Sequence, residues 1–174
     1  MDLVERQGVV TMKGRPVVLQ GPSVEVGRPA PGFRVVDGSF QPVELGAFAG
    51  RPLLISTVQS LDTGVCALQT KRFHEEVARL PADVVYIVLS TDLPFAQKRF
   101  CETEKVDRAH VLSDHVWRDF GLRYGVLIKD LGLLARAVFV IGRDGRLVYK
   151  QIVSELSEHP GYDEALEAIR AAAG

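Results

Sequence analysis

Two largely apolar segments of strand length lie in the first half of the chain, at residues 52–58 and 83–89. A strand with one face in solvent would alternate apolar and polar residues. Continuous apolar runs of this length are typical of strands that are covered on both faces of a sheet. The pattern therefore predicts two central strands.

A helix is predicted after the first of these strands. Asp62 or Thr63 offers a side-chain oxygen for its N-cap, and Pro81 ends it, so the helix should run to about Leu80. If Thr63 is the N-cap, Cys66 falls in the first turn. An imperfect inner apolar face is expected from Val65, Leu68, Phe73, Val77 and Leu80.

A second helix is predicted after residues 83–89. Asp92 is its expected N-cap, and Pro94 is tolerated in the first turn because its missing N–H would have no partner there. Cys101 should lie towards the far end of this helix. The side chains expected to pack inward are Phe95, Ala96 and Phe100.

Turn signals predict two hairpins. Arg143-Asp144-Gly145 lies between residues 135–141 and 146–152, which favours two antiparallel strands. Lys13-Gly14 similarly separates two shorter apolar segments within residues 1–20. We interpret residues 1–20 as an N-terminal hairpin extension of the core.

The remaining pattern predicts shorter elements. Val111-Leu112 is expected to form a short strand, and Asp114 to cap a helix that contains Trp117, in the core, and Phe120. A last amphipathic helix is expected from about Tyr162 to Ala172.

The order of these elements predicts an α/β fold. Strands and helices alternate through the first half, and an antiparallel hairpin and a helix follow. We therefore expect a central sheet of mixed parallel and antiparallel strands, flanked by helices. A length of 174 residues fits one domain, which we place at residues 1–174.

Composition and charge exclude several classes of function. The chain is 47% hydrophobic and 25% charged, with a formal net charge of -1. Nothing in this balance indicates nucleic acid or a membrane surface as a partner. The first residues lack the apolar core of a signal peptide, and no apolar run approaches the roughly 18 residues of a membrane span. We expect a soluble, cytoplasmic protein.

Metal and cofactor chemistry find no support in the sequence. The histidines lack zinc-binding spacings and are expected at the surface or at helix ends; they are His74, His110, His115 and His159. Ser113-Asp114-His115 cannot form a catalytic triad, because adjacent residues cannot point at one another in the required geometry. No phosphate-binding loop is present, so no cofactor is expected.

The chemistry therefore falls to Cys66 and Cys101. A lone cysteine in a helix is most often a small buried hydrophobic residue, and that inert reading is the default. At a helix start, however, unpaired N–H groups and the helix dipole favour thiolate. Cys101 lies near a helix end beside Glu102 and Glu104, where a negative charge is opposed. This difference assigns attack to Cys66 and resolution to Cys101.

The two cysteines can form a disulfide only if they approach closely. A thiolate oxidised to sulfenic acid condenses with a second thiol, and the bond requires Cα atoms within roughly 7 Å. Helices packed on one sheet are expected to hold Cys66 and Cys101 farther apart. One helix is therefore expected to unwind locally when the disulfide forms.

The chain contains four longer motifs. Two of them end at the cysteines, namely Ser60-Leu61-Asp62-Thr63-Gly64-Val65-Cys66 and Asp92-Leu93-Pro94-Phe95-Ala96-Gln97-Lys98-Arg99-Phe100-Cys101. The other two are Gly27-Arg28-Pro29-Ala30-Pro31-Gly32-Phe33 and Leu134-Ala135-Arg136-Ala137-Val138. Together they resemble the peroxiredoxins, and most closely the thiol peroxidase branch. The resemblance extends over nearly the whole chain. The segment that ends at Cys101 is its most specific part.

The resemblance implies a thioredoxin-like fold and a peroxidase of the atypical two-cysteine type. Cys66 would be the peroxidatic and Cys101 the resolving cysteine, joined in an intramolecular disulfide that thioredoxin reduces. Arg136 would hold the thiolate and the peroxide, where the alternative is a surface ion pair, and Thr63 would contribute its hydroxyl. The implied substrates are hydrogen peroxide and organic hydroperoxides, and the implied assembly is a homodimer.

One position departs from the family pattern. The usual proline seven residues before the peroxidatic cysteine is Gln59 here. Glutamine adds a donor, an acceptor and a backbone N–H, so we expect a wetter, more mobile pocket and slower turnover. The alternative function is therefore a peroxide-responsive redox sensor or binding protein with little turnover. A disulfide oxidoreductase is a weaker third reading, because Cys-x-x-Cys is absent.

Overall fold

The computed structural model describes residues 3–174, so Met1 and Asp2 of the predicted extension lie outside the described residues. The strands are, in chain order, β1 (Glu5–Met12), β2 (Arg15–Gln20), β3 (Arg34–Val36), β4 (Pro42–Glu44), β5 (Leu53–Thr57), β6 (Val85–Ser90), β7 (Ala109–Ser113), β8 (Leu127–Ile128), β9 (Ala137–Ile141) and β10 (Leu147–Ile152). The α-helices are α1 (Gly64–Val77), α2 (Pro94–Glu104), α3 (Asp119–Arg123) and α4 (Tyr162–Ala173). A 3₁₀ helix occupies Leu45–Phe48.

The central sheet is mixed, as predicted. Its seven strands lie in the order β10-β9-β5-β6-β7-β3-β4. Strands β5, β6 and β7 are parallel, and their other neighbours pair antiparallel. The predicted hairpin around Arg143-Asp144-Gly145 is the β9–β10 pair.

Side chains of the buried central strands alternate between two apolar cores. Leu54 packs on the face that also holds Phe73 of α1 and Ile169 of α4. Ile55 points to the other face, with Leu19 of β2 and Phe120 of α3. Both cores are sealed from water, which explains why β5 reads as an almost continuous apolar run.

The N-terminal hairpin is hydrogen-bonded to the rest of the fold at both of its strands. Strands β1, β2 and β8 form a separate three-stranded sheet. The Thr11 N–H donates to Ser154 O at 2.7 Å, and the Leu156 N–H donates to Thr11 O at 2.9 Å. The hairpin is therefore fixed beside the segment that follows β10.

Some local predictions about the first two helices are wrong. Helix α1 ends at Val77, before the predicted Leu80, and Leu68 faces solvent with 56% of its surface exposed. In α2 the N-cap is Leu93 and not Asp92. Phe95 is 71% exposed, because it lies at the start of α2 and not over the core.

The region after β7 also differs from the prediction. Trp117 precedes α3, is 38% exposed, and lies against the guanidinium of Arg34 at 4.1 Å. Asp114 does bind the start of α3, since its carboxylate accepts hydrogen bonds from the backbone N–H groups of Phe120 and Gly121. Burial raises the pKa of this carboxyl to about 7.

Within residues 3–174, no helix is both long enough and apolar enough to cross a bilayer.

Candidate active site

Cys66 lies in the first turn of α1, as the sequence predicted. Thr63 occupies the N-cap position with extended backbone angles, but its hydroxyl makes no capping hydrogen bond. The Thr63 hydroxyl instead donates to Ser60 O at 3.1 Å, so the predicted side-chain cap is wrong. Thr63 thus stabilises the loop before the helix.

The sulfur of Cys66 has two polar partners, although Cys66 also belongs to the apolar core between the sheet and α1. Cys66 has no exposed surface. Its Sγ donates to Gln59 Oε1 at 3.2 Å and accepts from Nη1 of Arg136 at 3.5 Å. The inert reading of Cys66 as a simple apolar residue does not account for two polar partners at one sulfur.

Arg136 is 2% exposed and immediately precedes β9. A guanidinium has five N–H donors, and each one here meets an acceptor. Nε and Nη2 donate to Leu156 O at 3.2 and 2.8 Å. Nη1 donates to Gln69 Oε1 at 2.8 Å and to the Cys66 sulfur, while Nη2 also donates to Gln59 Oε1 at 3.0 Å. The reading of Arg136 as a surface ion pair is therefore wrong.

Gln69 is a site residue that the sequence analysis missed. It is fully buried, and its oxygen accepts from Arg136, while its Nε2 has no hydrogen-bond partner within residues 3–174. The available signal was its spacing, because residues three apart on a helix share a face and Gln69 follows Cys66 by three.

Gln59 has a defined place in the site. It is 7% exposed, and its Oε1 accepts hydrogen bonds from both Cys66 and Arg136. Its Nε2 lies 3.5 Å from Leu156 O, at the long end for a hydrogen bond. The amide is therefore held between the thiol, the guanidinium and one backbone carbonyl.

A cavity of about 320 Å³ leads to this group. Its lining comprises Met12, Lys13, Gln59, Thr63, Gly64, Val65, Leu133, Arg136, Leu156 and Ser157. Met12 and Lys13 belong to the N-terminal hairpin, so the predicted extension forms part of the entrance. Gln59 and Arg136 line the cavity and also contact the Cys66 sulfur, which places them between the cavity and the thiol.

Cys101 lies in the second half of α2 and opens onto a different cavity. That cavity of about 330 Å³ is lined partly by Gln97, Lys98 and Val111, and it shares no lining residue with the first. Both cysteines are free. Burial, and to a lesser degree Glu102, raise the pKa of the Cys101 thiol.

The histidines are not gathered at the site. His74 near the end of α1 accepts the N–H groups of Asp107 and Arg108, and His110 packs edge-on against Phe48. In the part of the chain that the structure describes, no three His, Cys, Asp or Glu side chains form a group that could hold a metal ion.

Known families and proteins resemble this chain over most of its length. A family model described as Redoxin matches residues 25–166. A thiol peroxidase of Halalkalibacterium halodurans is 48% identical over 163 residues, which cover 94% of this chain and 98% of the relative. A thiol peroxidase of Bacillus subtilis is 46% identical over 162 residues, covering 93% and 96%.

Solved structures agree in fold. A peroxiredoxin-like protein from Aquifex aeolicus superposes with a TM-score of 0.88 at 42% identity, covering 99% of each chain. A thiol peroxidase from Chromobacterium violaceum gives a TM-score of 0.83 at 23% identity over 93% of this chain and 95% of its own, and supports the fold alone. The thioredoxin-like fold class expected from the sequence is confirmed.

Proposed function

The chain belongs to the Redoxin family and within it to the thiol peroxidases, and from that premise we propose that Cys66 is its peroxidatic and Cys101 its resolving cysteine. The family membership makes it an enzyme that reduces peroxides at the expense of thiols. The assignment of roles to individual residues is supported chiefly by one observation. Arg136 is buried and directs N–H groups at Cys66 and at both glutamines around it.

In the first step the Cys66 thiolate attacks one oxygen of the peroxide, and the oxygen–oxygen bond breaks. The sulfur becomes a sulfenic acid, and the other oxygen leaves as hydroxide or alkoxide and takes up a proton. Arg136 stabilises the charge that moves onto the leaving oxygen, because its N–H groups are buried and already held in place around the sulfur. Thr63 lines the same cavity, and because its hydroxyl donates its proton to Ser60 O, the hydroxyl oxygen can accept a hydrogen bond from the peroxide.

In the second step the Cys101 thiol condenses with the sulfenic acid, which forms the disulfide and releases water. Cys66 is enclosed and Cys101 opens onto another cavity, so at least one of the two helices must unwind locally before the sulfurs meet. A dithiol reductant of the thioredoxin type then returns two electrons and restores both thiols.

A second copy of the chain is the proposed partner in a homodimer. Phe40, Leu93, Phe95 and Val116 are each at least 40% exposed, and the rings of Phe40 and Phe95 lie 5.3 Å apart. Clustered exposed apolar side chains of this kind mark interaction surfaces. Light scattering should give twice the chain mass of 19.1 kDa.

Sustained turnover separates the enzyme from the redox sensor. The sensor is not favoured, because relatives that are 44% to 48% identical carry the name thiol peroxidase. With thioredoxin, thioredoxin reductase, NADPH and hydrogen peroxide, we expect continuous NADPH consumption over many equivalents of protein, and none with Cys66→Ser. Oxidation that stops after one equivalent would refute the enzyme function.

A further inference from the structure

Asp92 joins the segments that carry the two cysteines. It lies in the turn between β6 and α2, and its Oδ1 accepts from the Ser60 hydroxyl at 2.7 Å. Its Oδ2 accepts from the backbone N–H of Leu61 at 2.8 Å and from the Ser90 hydroxyl at 2.8 Å. Ser60 and Leu61 belong to the loop that enters the Cys66 helix, whereas Asp92 leads into the Cys101 helix.

Asp92 is itself anchored at the carboxyl ends of two strands of the central sheet. Its backbone N–H donates to the Ser90 hydroxyl at 3.3 Å, and its carbonyl accepts from the Ser113 hydroxyl at 2.5 Å. Ser90 and Ser113 end the neighbouring strands β6 and β7. The carboxylate therefore extends from a fixed position to the loop of residues 60–63.

Two ion pairs also join the same regions, but they are exposed. Arg99 and Asp62 lie 3.9 Å apart with more than two thirds of each side chain exposed, and Lys71 and Glu104 lie 3.0 Å apart with 43% and 34% of their side chains exposed. Exposed pairs of this kind contribute little, whereas short hydrogen bonds to a carboxylate are among the stronger ones. Asp92 is therefore the principal polar connection between the loop and α2.

We propose that Asp92 is a positioning residue that holds the closed site together, and that releasing its bonds to Ser60 and Leu61 permits Cys66 to reach Cys101. This inference rests on the proposed function, because it requires Cys101 to be the resolving cysteine. The two hydrogen bonds from Ser60 and Leu61 stabilise the arrangement in which Arg136 contacts the thiol. The same bonds oppose the local unwinding that disulfide formation needs.

Asp92 thereby determines what fraction of the Cys66 sulfenic acid enters each of two competing reactions. Condensation with the Cys101 thiol gives the disulfide and water. Reaction with a second hydrogen peroxide gives sulfinic acid and water, which ends turnover. A weaker connection at Asp92 favours the disulfide, and a stronger one prolongs the exposure of the sulfenic acid to peroxide.

The test compares Asp92→Asn with the matched control Asp62→Asn, which removes a carboxylate from the neighbouring exposed ion pair. Rapid mixing with hydrogen peroxide, acid quench and intact-mass analysis follow sulfenic acid, disulfide and sulfinic acid separately. In Asp92→Asn we expect the disulfide to form about tenfold faster from the sulfenic acid, since charge-assisted hydrogen bonds are lost. The peroxide concentration that gives half sulfinylation should rise to a similar extent, and Asp62→Asn should match the wild type.

A disulfide rate in Asp92→Asn that is unchanged or slower than that of the wild type would overturn the proposal. A merely structural role would lower the melting temperature without changing the division between disulfide and sulfinic acid. If Asp92→Asn does not fold, Ser60→Ala removes one of the two bonds to the loop. It should shift the ratio of disulfide to sulfinic acid in the same direction, and no shift counts against the proposal. Cys101→Ser separates the two claims, because a lasting Cys66 sulfenic acid in that variant supports the proposed function whatever Asp92 does.

Discussion

The side-chain oxygen of Gln59 accepts a hydrogen bond from the Cys66 sulfur at 3.2 Å. This bond uses the proton that the thiol must lose before it can attack, so it stabilises the unreactive form. The same oxygen also accepts a hydrogen bond from Arg136. All five N–H donors of Arg136 are bonded to protein acceptors. A peroxide that binds Arg136 must therefore displace one of these acceptors.

Gln59→Pro should raise the second-order rate of Cys66 oxidation by hydrogen peroxide. Proline has no side-chain acceptor, so the substitution removes the bond to the thiol and releases one Arg136 donor for the peroxide. With one hydrogen bond worth about 1 kcal/mol, we expect about a fivefold increase. Stopped-flow fluorescence measures the rate, and Gln59→Leu, which keeps the backbone N–H, should show much of the same gain. An unchanged or lower rate in both variants would refute this role of Gln59.

Arg136→Met should slow Cys66 oxidation by about a hundredfold or more, the usual loss when a donor that stabilises a developing anion is removed. Arg136→Lys should recover only part of the rate, because an ammonium has three donors on one nitrogen, whereas Arg136 uses five donors on three nitrogens. Arg99→Met removes an exposed cation from α2 and serves as the control. Equal rates for Arg136→Met and Arg99→Met would exclude Arg136 from the reaction.

The features that the sequence predicted well depend on short-range rules. The buried strand β5, the helix start before Cys66 and the turn at Arg143-Asp144-Gly145 each follow from neighbouring residues. Arg136 was assigned to the same site by the resemblance to the peroxiredoxins and not by a local rule. In the structure Arg136 contacts Cys66, which lies 70 residues earlier in the chain.

The features that the sequence did not predict depend on long-range contacts. Asp92 fits a helix cap by local rules, but its carboxylate bonds to Ser60 and Leu61, about 30 residues away, and so Leu93 takes the cap position. Gln69 looks like an ordinary polar helix residue, because only the tertiary fold brings Arg136 to it. Phe95 faces solvent since the orientation of α2 is set by the sheet and not by its own apolar residues.

Glu155 should make stability depend on pH through the N-terminal hairpin. Its carboxylate accepts the N–H groups of Gly14 and Ser157 and the hydroxyls of Thr11 and Ser157, and the bonds to Ser157 foremost lower its pKa to about 2. An unfolded chain would restore the ordinary value of 4.5. The stabilisation is therefore complete above pH 4.5 and is lost as the pH falls through about 2.

Urea unfolding of the wild type and Glu155→Gln at several pH values tests this linkage. The wild type should be more stable at pH 6, and the difference between the two proteins should shrink steadily below pH 4.5. Other carboxyl groups affect both proteins and cancel in the difference. A difference that does not vary with pH would show that the Glu155 charge does not stabilise the hairpin.

The most direct test of the whole account is the intact mass of the wild type, Cys66→Ser and Cys101→Ser after one equivalent of hydrogen peroxide in the presence of dimedone. The account predicts loss of two hydrogen atoms in the wild type, a single dimedone adduct on Cys66 in Cys101→Ser, and no change in Cys66→Ser. Oxidation of Cys66→Ser at the wild-type rate, or a wild type that forms no Cys66–Cys101 disulfide, would contradict it.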